Sequence, residues 1–183
     1  LKEGYGPNIG AINTIYNLGT NLLITVDCGI SSFEALDLAF KKGLKVIVLD
    51  HHQVEKTLPK ASAIVNPKRV DDSSGNEMLA AVGISFLLIV AINRELRNLN
   101  YFNNKTKEPD IKDLLGIVAL GTVCDLVPLK GVNRLFVNYG LKVLQSNNNL
   151  GIATLFETLG ISKVIEPYHL AYYLGPCINA GGR

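Results

Sequence analysis

Two apolar runs, Leu22-Leu23-Ile24-Thr25-Val26 and Leu44-Lys45-Val46-Ile47-Val48-Leu49, each end in a carboxylate, Asp27 and Asp50, and this repeat constrains the fold more than any other feature. Short runs rich in β-branched residues read as strands. Between them Ser31 and Glu34 have capping-box spacing, Phe33, Leu36 and Phe40 supply an apolar face, Lys41 and Lys42 suit a C-terminal dipole, and Gly43 can end the helix. A strand, a helix and a strand of this length make one right-handed βαβ unit, hence a parallel pair. Ligands of open parallel sheets bind beyond the carboxyl ends of the strands, where both acids fall. Asp50 is followed directly by His51 and His52, so Asp27 and His51 can lie side by side, close enough to share a divalent metal. Carboxylate and neutral imidazole suit manganese, magnesium or zinc better than they suit soft metals.

The pattern extends in both directions. Asn8 precedes a helical pattern with Ile9, Ile12, Ile15, Tyr16 and Leu18 on its apolar side, closed by Gly19. Ala61 to Val65 is a third apolar run, ended by Asn66-Pro67, and predicts a third parallel strand. From Glu77 onward helical periodicity takes over: Met78–Leu99, Ile111–Leu120, Asn133–Gln145, Leu150–Leu159 and a short Tyr168–Leu174 are the expected helices. The polar run Ser146 to Asn149 can cap the fourth of these. The fold class predicted is therefore α/β, a parallel β-sheet with βαβ units in about residues 1–76, followed by a helical lobe in about residues 77–183.

Charge and cysteine content narrow the function classes. A net charge of +2 is too mild to argue for nucleic acid or an anionic membrane by itself, so any polyanion site must be local. The three cysteines, Cys28, Cys124 and Cys177, are spread one per segment and form no disulfide framework, which fits a reducing, cytoplasmic setting. Leu79–Ile92 and Leu114–Cys124 are apolar but shorter than the ~20 residues of a spanning helix, and are expected as buried core helices. The chain opens on Leu1-Lys2-Glu3 and stops at Arg183, and reads as a segment of a longer protein.

Asp125 stands in the apolar stretch Gly121 to Leu129, immediately after a helix. A carboxylate buried there must be hydrogen-bonded, salt-bridged or metal-bound. Residue chemistry alone divides evenly between a helix cap and a ligand, and Asp27 is equally compatible with capping the helix after it. One core histidine and one exposed neighbour is a sufficient reading of His51-His52. Cys28 and Cys124 read as small buried thiols. His169, Tyr172 and Tyr173 read as packing residues rather than base-stacking ones.

Six ordered stretches change those odds: Glu3-Gly4-Tyr5-Gly6, Leu23 to Ser32, Val48-Leu49-Asp50-His51-His52, Ile64-Val65-Asn66-Pro67, Ala119 to Leu129, and Leu174 to Arg183. Together they resemble the DHH phosphoesterase superfamily, and within it the exonucleases that degrade single-stranded DNA from 5′ to 3′ in recombination and repair. The resemblance implies a two-metal hydrolytic centre holding Mn2+ or Mg2+. In it Asp27 would bridge the metals, His51 and Asp125 would bind one of them, His52 would face substrate phosphate, and Asp50 would orient a histidine. Asn179 and Arg183 match the substrate-side motif, where a guanidinium can grip a phosphate, and Arg134 is a further phosphate candidate. Single-stranded DNA is the implied partner, with single-strand-binding protein or a helicase as associated proteins and no membrane. Two departures stand out. The superfamily's first motif, an aspartate cluster on a preceding strand, is not among these residues, which leaves the set of ligands incomplete. Cys177 occupies a position where arginine is usual. The same resemblance is compatible with a phosphodiesterase acting on oligoribonucleotides or cyclic dinucleotides, and a non-catalytic repair scaffold is the alternative from another class.

Overall fold

The computed structural model describes residues 4–146, 149–161 and 164–181. The chain forms two compact units, Leu1–Glu77 and Met78–Arg183.

In the first unit, helix α1 (Ile9–Asn17) begins at Asn8, whose side chain accepts the Ala11 N–H and so satisfies one otherwise orphaned donor of the first turn. Strand β1 (Leu22–Val26), helix α2 (Phe33–Lys41), strand β2 (Lys45–Leu49) and strand β3 (Ala63–Val65) follow. The sheet is parallel throughout, in the order β1-β2-β3. Val26 pairs with Leu49, so β1 and β2 end level with one another. Ile12 of α1 and Ala35, Leu36 and Ala39 of α2 form one core with Val46 and Val48 of β2. Complete burial of a side chain such as Leu36 contributes about 1.5–3 kcal/mol.

Several local expectations shift. The N-cap of α2 is Ser32 rather than Ser31, and its side chain makes no capping hydrogen bond. Glu34 then sits at the second helical position, where it complements the dipole but cannot close a capping box. The buried stripe of α2 runs through Ala35, Leu36 and Ala39, while Phe40 stays 59% exposed beneath the Lys60 ammonium. On α1 only Ile12 is fully buried, and Ile9, Tyr16 and Leu18 are exposed. β1 is covered on one face only: Leu22, Ile24 and Val26 alternate outward.

The second unit is helical among its described residues. It comprises α3 (Ala81–Asn98), a 3₁₀ turn at Ile111–Leu114 running into α4 (Leu115–Cys124), α5 (Gly131–Gln145), α6 (Leu150–Thr158), a short α7 (Pro167–His169), a π-helical turn at Leu170–Leu174, and α8 (Gly175–Gly181). Gly175–Gly181 thus continues the chain as helix. Asn149 caps α6 as expected, accepting the Ile152 N–H, whereas residues 147 and 148 of that polar run lie outside the described residues. The core joins Ala119, Val123, Val137, Leu144, Leu170 and Leu174. α3 is less enclosed than its composition suggests, with Leu87, Ile89, Val90 and Ile92 exposed. No helix among the described residues is long and apolar enough to cross a membrane.

The close crossing of α4 and α5 depends on Gly140. A Cβ there would lie 2.2 Å from the Leu115 carbonyl oxygen and 2.4 Å from Ala119 Cβ. Gly140→Ala is therefore expected to lower unfolding stability by ~3 kcal/mol, at the upper end of overpacking costs. Gly151→Ala, with only Asn149 Oδ1 at 3.5 Å from the added methyl, should shift it by no more than ~0.5 kcal/mol. Denaturant midpoints of the two variants check the contrast.

Candidate metal centre

The level ends of β1 and β2 explain how the acids and imidazoles meet. Asp27 extends the ladder by donating its N–H to Leu49 O at 2.9 Å, and Asp50 does the same to Val65 O at 3.1 Å. At Asp27 the backbone then turns into the left-handed region, with φ +61°. Aspartate tolerates this conformation better than most residues, and such backbone strain concentrates at functional sites. The Tyr5 hydroxyl donates to Asp27 O at 2.7 Å and so fixes the turn from outside. The Asp27 carboxylate stays about half exposed, and its Oδ1 lies 3.2 Å from His51 Nε2.

Asp50 is 1% exposed and serves as the internal brace. One carboxylate oxygen accepts the N–H of Ile30 at 3.0 Å; the other accepts the N–H groups of His51 and His52 at 2.8 and 3.1 Å and lies 2.7 Å from His52 Nδ1. Burial alone would raise this carboxyl, but the hydrogen bonds from Ile30, His52 and His51 outweigh it and hold Asp50 below the ordinary aspartate range. A carboxylate 2.7 Å from Nδ1 makes that nitrogen the donor, so Nε2 is the ring nitrogen of His52 not engaged by Asp50. Stability contributed by Asp50 is then full above about pH 4, where aspartates of the unfolded chain ionise, and is lost as pH falls through the lower native value. Asp50→Asn should flatten the acid limb of a stability-versus-pH curve, measured by urea denaturation from pH 6 downward.

One ligating atom from each of Asp27, His51 and His52 lies within 4.8 Å of the others, a set that could hold a metal ion. The donors are oxygen and imidazole nitrogen, suited to a hard or borderline divalent cation. Burial, followed by the charges of Asp50 and Asp27, pushes the Cys28 thiol above its ordinary value.

Asn66 is a contributor that residue reading left without a role. It is 2% exposed, donates from Nδ2 to His52 O at 2.9 Å and accepts the Lys68 N–H at 2.9 Å, so it clamps the chain just after the two histidines. The signal was present in the sequence: a third polar residue at a third strand end.

The remaining candidates belong to the second unit or fall outside the described residues. Asp125 belongs to the second unit, where it is the C-cap of α4 and is exposed rather than buried, so the expected penalty of an enclosed carboxylate does not arise. Leu126 after it is left-handed, φ +56°, as helix-terminating residues often are. Cys124 and Cys177 are also exposed, against the expectation of buried thiols for the first of them. Arg134 is exposed on the first turn of α5 and Asn179 is exposed on α8. Arg183 lies outside the described residues, as does Glu3. Tyr172 and Tyr173, expected in packing, are 70% and 39% exposed.

A parallel α/β unit presenting carboxylate and imidazole together at adjacent strand ends defines a class, the α/β proteins with a candidate metal-binding cluster beyond the ends of a parallel sheet. Residues 3–122 match the DHH family, N-terminal domain, and the chain belongs to that family. It is 38% identical to the single-stranded-DNA-specific exonuclease RecJ of Haemophilus influenzae, over 100% of this chain and 32% of that protein. It is 39% identical to RecJ of Bacillus subtilis, over 100% of this chain and 22% of that protein. Among solved structures, exonuclease RecJ bound to manganese superposes with a TM-score of 0.80 at 30% identity, covering 97% of this chain and 42% of the other. RecJ of Thermus thermophilus in complex with Mn2+ gives a TM-score of 0.77 at 28% identity, covering 96% and 24%. The chain thus spans between about a fifth and a third of the length of these curated relatives.

Proposed function

We propose that this chain forms part of the catalytic region of a metal-dependent exonuclease that hydrolyses single-stranded DNA from 5′ to 3′. The observation that carries the reading is the clustering of Asp27, His51 and His52 at neighbouring strand ends. Its chemistry suits Mn2+ or Mg2+, and the RecJ relatives of known structure hold those ions. Asp27, as the exposed oxygen donor on a strained turn, would hold the metal together with His51, and Asp125 would complete the shell. His52, its Nδ1 taken by Asp50, would direct Nε2 toward the metal or a substrate phosphate oxygen. Asn179, Arg134 and Arg183 would grip phosphates along the strand. When bound, divalent ions supply hydroxide near neutral pH and offset charge on the phosphoryl oxygens.

The repair setting implies encounters with single-strand-binding protein or a helicase. The three free cysteines suit a reducing cytoplasm. The test is cleavage by the protein as encoded, in manganese, of a 3′-labelled single-stranded oligodeoxynucleotide, its duplex, a short oligoribonucleotide and a cyclic dinucleotide. Stepwise shortening of the single strand from its 5′ end, abolished by chelator, is expected. Hydrolysis of the small substrates with the single strand intact would overturn the reading.

A further inference from the structure

The segment leading to α8 carries an exposed aromatic cluster that the hydrolytic site does not use. Tyr168, Tyr172 and Tyr173 are 54%, 70% and 39% exposed. Their rings nevertheless pack on one another: Tyr168 lies 5.0 Å from Tyr172 and 5.6 Å from Tyr173, centroid to centroid. The backbone beneath is the π-helical turn Leu170–Leu174. Such turns are rare and gather at functional sites, and their wider i to i+5 spacing brings Tyr168 and Tyr173 to one face.

The platform is rigidly based. Leu170 and Leu174, on the other side of the turn, are fully buried in the helical core. The turn also runs against the end of α4 that carries Asp125: Cys124 Sγ lies 3.6 Å from Leu170 O, and a Cβ at Gly175 would come within 2.6 Å of that sulfur. The tyrosines are thus anchored to the residue next to a proposed metal ligand, and α8 with Asn179 follows directly. Three exposed, preordered rings offer π-faces with little further entropy to lose.

We infer that Tyr168, Tyr172 and Tyr173 form a stacking platform for the unpaired bases of the single strand. The inference rests on the single-stranded-DNA reading above and adds a base-binding surface to it. Stacking on aromatic side chains is tolerant of sequence and depends on bases being unpaired, which would help select single strands.

The test is fluorescence anisotropy with the protein as encoded, in calcium buffer, using oligo-dT and an abasic oligonucleotide of equal length and charge. Tyr168→Leu/Tyr172→Leu is expected to weaken oligo-dT binding by about tenfold or more, with abasic binding and the salt slope unchanged. Tyr168→Phe/Tyr172→Phe should retain native affinity, and quenching of tyrosine emission on adding oligo-dT should report stacking without any substitution. Unchanged oligo-dT affinity in the leucine variant, or equal losses on both oligonucleotides, would overturn the platform while leaving the exonuclease reading in place. Failure of the native protein to bind either oligonucleotide would overturn both.

Discussion

Asp27→Ala in the protein as encoded should lower turnover of single-stranded DNA by more than ~100-fold at saturating manganese, beyond the ~10–100-fold typical of losing a residue that only orients a ligand. Asp50→Ala is expected to stay within that smaller range. The difference follows from position. Asp27 is half exposed and its oxygen faces His51 Nε2, whereas Asp50 is enclosed and spends its oxygens on Ile30, His51 and His52. Asp27→Ala should also leave the fold intact, with only a modest loss of stability, because alanine empties no core position but tolerates the left-handed backbone at φ +61° less well than aspartate. Steady-state kinetics across a manganese series, with thermal melts of both variants, check the pair. Equal mild losses would remove Asp27 from the centre.

The second large effect is expected at Asp125. It is exposed at the C-cap of α4, and a carboxylate near a helix C-terminus faces the unfavourable end of the dipole. Asp125→Asn should therefore change unfolding stability by less than ~0.5 kcal/mol. Activity should nonetheless fall by at least ~100-fold if the carboxylate completes a metal shell, since an amide is a far weaker ligand for a hard cation. Retained activity with unchanged stability would leave Asp125 as an ordinary helix end.

Much of this was legible in the residues because strands announce themselves twice, by β-branched composition and by what ends them. Leu22–Val26 and Lys45–Leu49 pair in parallel as the acid-terminated runs implied, and His51 does come beside Asp27. What periodicity could not supply was the rotation of each helix. On α2 the buried stripe runs through Ala35, Leu36 and Ala39 instead of Phe33, Leu36 and Phe40, a difference of rotation about the helix axis. Nor does apolar character decide burial: Asp125 and Cys124 sit in a hydrophobic stretch yet at the exposed end of α4, and Tyr172 and Tyr173 look like core residues until a π-turn faces them outward. The left-handed backbone of Asp27 and the enclosed brace of Asp50 are tertiary facts, set by Tyr5, Ile30 and Val65 acting across the sequence.

The central claim is that Asp27, His51 and His52 hold a divalent metal. Electron paramagnetic resonance of Mn2+ titrated into the protein as encoded tests it most directly, because the free-ion signal disappears on binding. Saturable loss of that signal is expected in the native protein, with clear weakening in Asp27→Ala/His51→Ala at unchanged secondary structure. Identical manganese binding by the native protein and that double variant would contradict the account.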